Sequence, residues 1–275
     1  VLFGRALSTF ASALGGIQYN YSWGNGLGHP CTIEGIDNGC GSSGGNGMID
    51  DMHGWNFAEN TPIIEDDDDH GSEVAGVIGA VHDNGQCIQG LNAETSLMAL
   101  KTRGGDGGQN VGYAISALAY AVANGADVAN VSWSTNFSHE LKLALEAAYQ
   151  AGIVVVAAAG RGELSPGDLD EKVSYPCSFG LANVICVAGT TCGDNLEGGS
   201  SWGKETVHLG APGYNILSTA RFGRCTERSG PSLAAPHVAG VAALIRSMCP
   251  NSTVQDVVDR IVCGTKYAPA LDGKT

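Results

Sequence analysis

The sequence predicts an α/β protein with a mostly parallel sheet covered by helices on both faces, and three observations predict it. Strand and helix patterns alternate from about residue 70 onward. The run at residues 153–159 is a continuous apolar strand of the kind that is buried on both faces. The helical stretches between strands close on glycine, at Gly125 and Gly152. Strands joined by crossover helices make a parallel sheet the natural arrangement.

The elements follow in order. Residues 71–80 read as a helix, and residues 95–101 as a short apolar strand that runs into a Gly-rich loop at 104–108. Residues 111–124 carry apolar side chains at helical spacing. Residues 127–132 are a strand, 138–150 an amphipathic helix, 153–159 the central apolar strand, and 184–189 repeat the strand signal. Residues 232–245 form a helix rich in small residues, with Pro236 tolerated near its first turn. Composition marks no boundary, so residues 1–275 are read as one domain, of which 1–47 are a divergent N-terminal part with a Gly-rich insert.

Composition excludes several functions. The formal net charge is -14 and no large Lys/Arg cluster occurs, which argues against nucleic acid or an anionic membrane as partner. No apolar run approaches the roughly 18 residues of a membrane span. Nine cysteines include no C-x-x-C pair, so disulfides are expected rather than a zinc site, and the odd count leaves at least one thiol free or paired between chains. With acceptor tripeptides at Asn20, Asn136 and Asn251, this points to a secreted glycoprotein that has lost its leader before Val1. A fourth match at Asn130 falls in an apolar strand and is expected to stay unmodified.

The chemistry begins with Ser232. A serine hydroxyl is a weak nucleophile unless a base takes its proton, and a helix start favours developing negative charge nearby. Ser229-Gly230-Pro231-Ser232-Leu233-Ala234-Ala235-Pro236-His237-Val238-Ala239-Gly240 and His70-Gly71-Ser72-Glu73-Val74-Ala75-Gly76 resemble the nucleophile and base motifs of the subtilisin-like serine proteases, the subtilases. Further matches follow at residues 97–101, 128–134, 154–160, 184–189 and 211–213, so the resemblance covers roughly residues 48 to 265. It implies a subtilisin-like three-layer fold and a peptide-bond hydrolase in which Ser232 attacks the carbonyl and His70 shuttles the proton. Substrate would lie extended beside Leu100 to Gly104 and Ser132, Trp133 and Ser134, with Trp133 either narrowing the pocket or packing in the core.

Three departures from the pattern bear on that chemistry. Residues 1–33 contain no Asp or Glu, and the position of the family's catalytic Asp falls between Ala6 and Phe10, with Ser8 the best assignment. Arg161 stands where the family carries an oxyanion-binding Asn. Pro231 stands where a Thr precedes the nucleophile. The resemblance also implies structural calcium: Asp83 opens a turn like the family's calcium loop, and Asp37, Asp50 and Asp51 flank a Gly-rich insert. Two readings result. One is a catalytically impaired homologue that holds a peptide or protein ligand in the old cleft. The other is a working or slow endopeptidase using a substitute carboxylate, with Asp50, Asp51 or Asp66 to Asp69 as candidates.

Overall fold

The computed structural model describes residues 6–10, 48, 51, 53–104, 110–161 and 167–275. Seven parallel strands form the main sheet: β1 Ala6–Phe10, β2 Gly54–Asn56, β3 Ser96–Lys101, β4 Val128–Val131, β5 Val154–Ala158, β6 Val184–Thr190 and β7 Leu209–Pro212, in the spatial order β2-β3-β1-β4-β5-β6-β7. The run VVVAA of β5 is apolar throughout because its alternate residues serve two cores. Val155 and Ala157 pack with Leu118, Leu141 and Leu145, whereas Val154, Val156 and Ala158 pack with Val74, Val238 and Val257. The first core lies under α2 Val111–Ala123 and α3 His139–Gln150, and the second under α1 His70–Gly79, α4 Pro231–Met248 and α5 Val254–Cys263. A separate antiparallel hairpin, β8 Ile216–Ala220 and β9 Arg224–Arg228, leads into α4.

Helix starts follow side-chain chemistry. Asn110 Oδ1 accepts from Gly112 N and Tyr113 N, Ser138 Oγ from Leu141 N, and Thr253 with Asp256 forms a capping box. His70 lies inside the first turn of α1 and not before it, and α4 extends to Met248, three residues beyond the expected end. Disulfides join Cys87 to Cys225 and Cys177 to Cys186, while Cys192, Cys249 and Cys263 are free thiols. Cys31 and Cys40 lie outside the described residues. Asn136 and Asn251 are exposed, as acceptors would have to be, and Asn130 is fully buried. No described helix is long and apolar enough to cross a membrane.

Two contacts fix the helices that carry the chemistry. Pro236 has no N–H, so the carbonyl of Ser232 loses its intrahelical donor four residues on. Ser132 Oγ, at the end of β4, donates to that carbonyl at 2.8 Å and accepts from Asn130 Nδ2 at 3.0 Å. On the other side, the carbonyls of Ser72 and Glu73 in α1 accept from Thr219 Oγ1 at 2.8 Å and Ser218 Oγ at 2.6 Å, which seats α1 on β8. Glu73 itself has no exposed surface, and Arg228 Nε of β9 stands 2.9 Å from its Oε1.

Both contacts can be tested through stability. Ser132→Ala leaves the Ser232 carbonyl buried without a donor and is expected to cost about 1–3 kcal/mol, read as a lower denaturation midpoint at unchanged slope. Burial raises the pKa of Glu73 from 4.5 to about 7 against the opposing pull of Arg228. The folded state therefore holds the Glu73 proton where the unfolded chain has released it, and stability falls as pH rises from 4.5 to 7, by at most about 3 kcal/mol. Glu73→Gln should flatten the melting temperature across that interval, and an unchanged slope would count against it.

Candidate active site

His70 and Ser232 come together in one cavity of about 220 Å³, lined also by Arg103, Trp133, Ser134 and Arg161. His70 opens α1, and Ser232 is the second residue of α4, immediately after Pro231. Gly230 caps α4 with φ 150°, a conformation that side-chain-bearing residues rarely adopt, so the turn before the serine requires glycine. Proline at the first helical position suits that turn, since its missing N–H would have no partner there and its fixed φ is already helical.

The acidic run before His70 is fully engaged elsewhere. Asp66 Oδ2 accepts from Ser72 N and Oγ, and Asp67 stands 2.6 Å from the buried Lys101 ammonium. Asp68 accepts from the backbone N–H of His70 through Oδ1 and from Arg103 Nη1 through Oδ2, at 3.2 and 2.8 Å. Asp69 takes Arg221 and Arg224. Among the described residues no carboxylate hydrogen-bonds the His70 ring. Burial drives the pKa of that ring down to about 4, with the Asp68 charge pulling it up and Arg103 and Arg228 pushing it further down. The imidazole is neutral at pH 7 and is a weak base.

The expected position of the missing carboxylate is sharpened by register. β1 runs between β3 and β4, with Ser8 beside Met98 and Ala129, and Phe10 beside Val131. Val131 is the residue before Ser132, at the mouth of the cleft, so Phe10 is level with the site and Ser8 lies two residues deeper. No residue of Ala6–Phe10 is acidic.

The other sequence-assigned residues divide. Trp133 and Ser134 line the cavity, whereas Ser132 lines it while spending its hydroxyl on α4. Leu100 does not reach the cleft: it is fully buried in β3, paired with Trp55, because both flanks of that strand are occupied by β1 and β2. Gly104 is half-buried at the end of the segment after β3. Asp83 sits on an exposed turn with its Oδ1 accepting from Gln89 Nε2, and Asp51 accepts from Tyr120 OH on the helix side of the sheet. Asp37 and Asp50 lie outside the described residues. Among the described residues no three His, Cys, Asp or Glu side chains converge in a metal-holding group.

Arg161 is the surprise of the site. Its Nη2 donates to Glu197 Oε1 at 2.6 Å, and Glu197 is almost wholly buried, with Oε2 lacking a hydrogen-bond partner. A methyl carbon placed on Gly230 would stand 3.5 Å from Ser232 Oγ and 3.8 Å from Arg161 Nε, so hydroxyl and guanidinium both lie within 4 Å of one point. One placed on Gly199 would stand 2.5 Å from Arg161 Nε, so glycine there makes room for the guanidinium. Neither Glu197 nor Gly199 was legible as a site residue, because the partnership spans 36 residues and carries no local motif.

Known proteins match this arrangement. The Subtilase family model matches residues 19–270, beginning after β1. Subtilisin DY of Bacillus licheniformis is 35% identical over 209 residues, covering 76% of this chain and 74% of that protein. The major intracellular serine protease of Bacillus subtilis strain 168 is 35% identical over 240 residues, covering 82% and 71%. Subtilisin-like protease 1 of Plasmodium berghei is 32% identical over 241 residues, covering 82% of this chain but 39% of that one. The crystal structure of a cold-adapted subtilisin-like serine proteinase matches with a TM-score of 0.76 at 23% identity over 98% of this chain and 85% of that one, which shows a shared fold. By the extent of the family match and the identity of these relatives, the chain belongs to the subtilase family.

Proposed function

We propose that this chain is a secreted subtilase-family protein that holds peptides in the cleft between His70 and Ser232 and in which the hydrolytic step is impaired. The observation that carries the reading is the central strand β1, whose sequence ALSTF offers no carboxylate to orient His70, while Asp66 to Asp69 are all committed to other partners. The two disulfides support an oxidising, secretory route.

The impairment has a direct physical account. When Ser232 attacks, its proton must pass to His70, and the imidazolium that forms needs a carboxylate on its other nitrogen. With a ring whose pKa is about 4, the transfer is uphill by several powers of ten relative to a base poised near 7. In serine proteases that keep the carboxylate, its loss costs about 10⁴ in turnover, and loss of one side-chain oxyanion donor about 10² to 10³. The retention of His70 and Ser232 in one cavity favours the second reading, a slow endopeptidase, and the same experiments decide between the two.

A fluorophosphonate probe is expected to label Ser232 slowly and substoichiometrically. Fast stoichiometric labelling that disappears in both Ser232→Ala and His70→Ala would overturn the impaired reading. Restoring the carboxylate tests the cause: Phe10→Asp is expected to raise peptide hydrolysis about tenfold or more, and Ser8→Asp to do little, because Phe10 is level with the cleft. Equal and negligible turnover in Ser8→Asp, Thr9→Asp and Phe10→Asp would mean that the absent carboxylate is not what limits the reaction.

A further inference from the structure

We infer that the Arg161–Glu197 pair turns the cleft into a receptor for a ligand carboxylate, and that this carboxylate is the C-terminus of a peptide. The inference rests on the peptide-binding reading above and deepens it. Arg161 has five N–H donors, of which the contact to Glu197 uses one on Nη2. A methyl carbon on Gly230 would stand 3.8 Å from Arg161 Nε, 3.9 Å from its Cζ and 3.5 Å from Ser232 Oγ, so guanidinium and hydroxyl border the same spot. Glu197, buried and bonded to Nη2, holds the fork in that orientation. Gly199 leaves the space it occupies. Three residues separated along the chain are thus fitted to one another around a cation at the mouth of the cavity.

A guanidinium is charged before any reaction takes place, and its planar fork matches a carboxylate in two parallel hydrogen bonds. It therefore favours an anion present in the ground state over the neutral carbonyl of a peptide bond, which becomes negative only as the serine attacks. Arg103 lines the same cavity, although Asp68 holds its Nη1. The cavity, at about 220 Å³, lies below the roughly 300–1,000 Å³ usual for a drug-sized ligand and suits a single terminal residue. An extended peptide passing Trp133 and Ser134 toward Ser232 would bring its end to Arg161. An acidic side chain carries the same chemistry from another source.

Isothermal titration with acetyl-trialanine as the free acid, with its C-terminal amide, and with an amidated acetyl-Ala-Ala-Glu separates these cases. The free acid is expected to bind about tenfold or more tightly than the amide, with the preference weakening as salt rises. That ratio should fall to about one in Gly199→Ala, which displaces the guanidinium without removing it, and in the double variant Arg161→Gln with Glu197→Gln, which avoids leaving a buried charge unpaired. Equal binding of acid and amide by the unaltered protein would overturn the inference and leave the peptide-binding reading standing. Tighter binding of the amidated Glu peptide than of the free acid would assign the site to an acidic side chain and overturn the terminal assignment. Binding of none of the three would remove the peptide-binding reading and this inference with it.

Discussion

Ser132 Oγ donates to the carbonyl of Ser232, and the placement of the nucleophile depends on that bond. The helix α4 cannot satisfy this carbonyl itself, since Pro236 stands where the donor should be. The defect in the helix is therefore the means by which the sheet grips it. Asn130 completes the chain from inside β4, so the serine is positioned by two side chains of one strand rather than by the helix alone. The sheet positions the other partner indirectly, through a hairpin that holds the first turn of α1 by two hydroxyls. Base and nucleophile thus face each other because two helices are docked independently to hydroxyl groups.

The electrostatics around His70 explain how, in a protein of net charge -14, the ring has no carboxylate on it among the described residues. Acidic residues are abundant beside it, yet Asp66 to Asp69 are occupied locally in holding the backbone of the turn into α1 or in neutralising Lys101, Arg103, Arg221 and Arg224. A carboxylate bound to a guanidinium or to backbone N–H groups has its lone pairs spent and its charge compensated. Proximity in sequence is consequently no route to a replacement for the missing residue.

Much of this was legible beforehand, and the reason differs from residue to residue. The helix at α3 was readable because Ser138 caps it by a bond three residues away and Gly152 follows its end, both local signals. The strand β5 was readable as doubly buried because only such a strand tolerates apolar residues at consecutive positions. Ser8 missed the cleft level by two residues because register belongs to the pairing of strands far apart in the chain, and no residue of β1 announces it. Leu100 was expected beside the substrate since an apolar strand end looks the same whether its edge is open or covered; here β1 and β2 cover it. Glu197 and Gly199 were invisible for the same reason: their meaning comes from Arg161, which only the fold brings to them.

Two of the departures at the site, the absent carboxylate and Arg161, become one when charge is followed through the reaction. Hydrolysis needs a cation to appear on His70 and an anion to appear beside Ser232 at the same moment, and a site tuned for it carries neither beforehand. Here no described carboxylate bonds the His70 ring, and burial drives the pKa of that ring down to about 4. The serine side has gained a guanidinium that is paired through Nη2 with the buried Glu197, given room by Gly199, and left with four further N–H donors. In the proposed reading each change lowers turnover, and together they shift the preference of the cleft from a transient anion to a standing one. Under the proposed function, a cleft with that preference would retain the product-like end of a peptide in place of its bond, which gives His70 and Ser232 a reason to share one cavity.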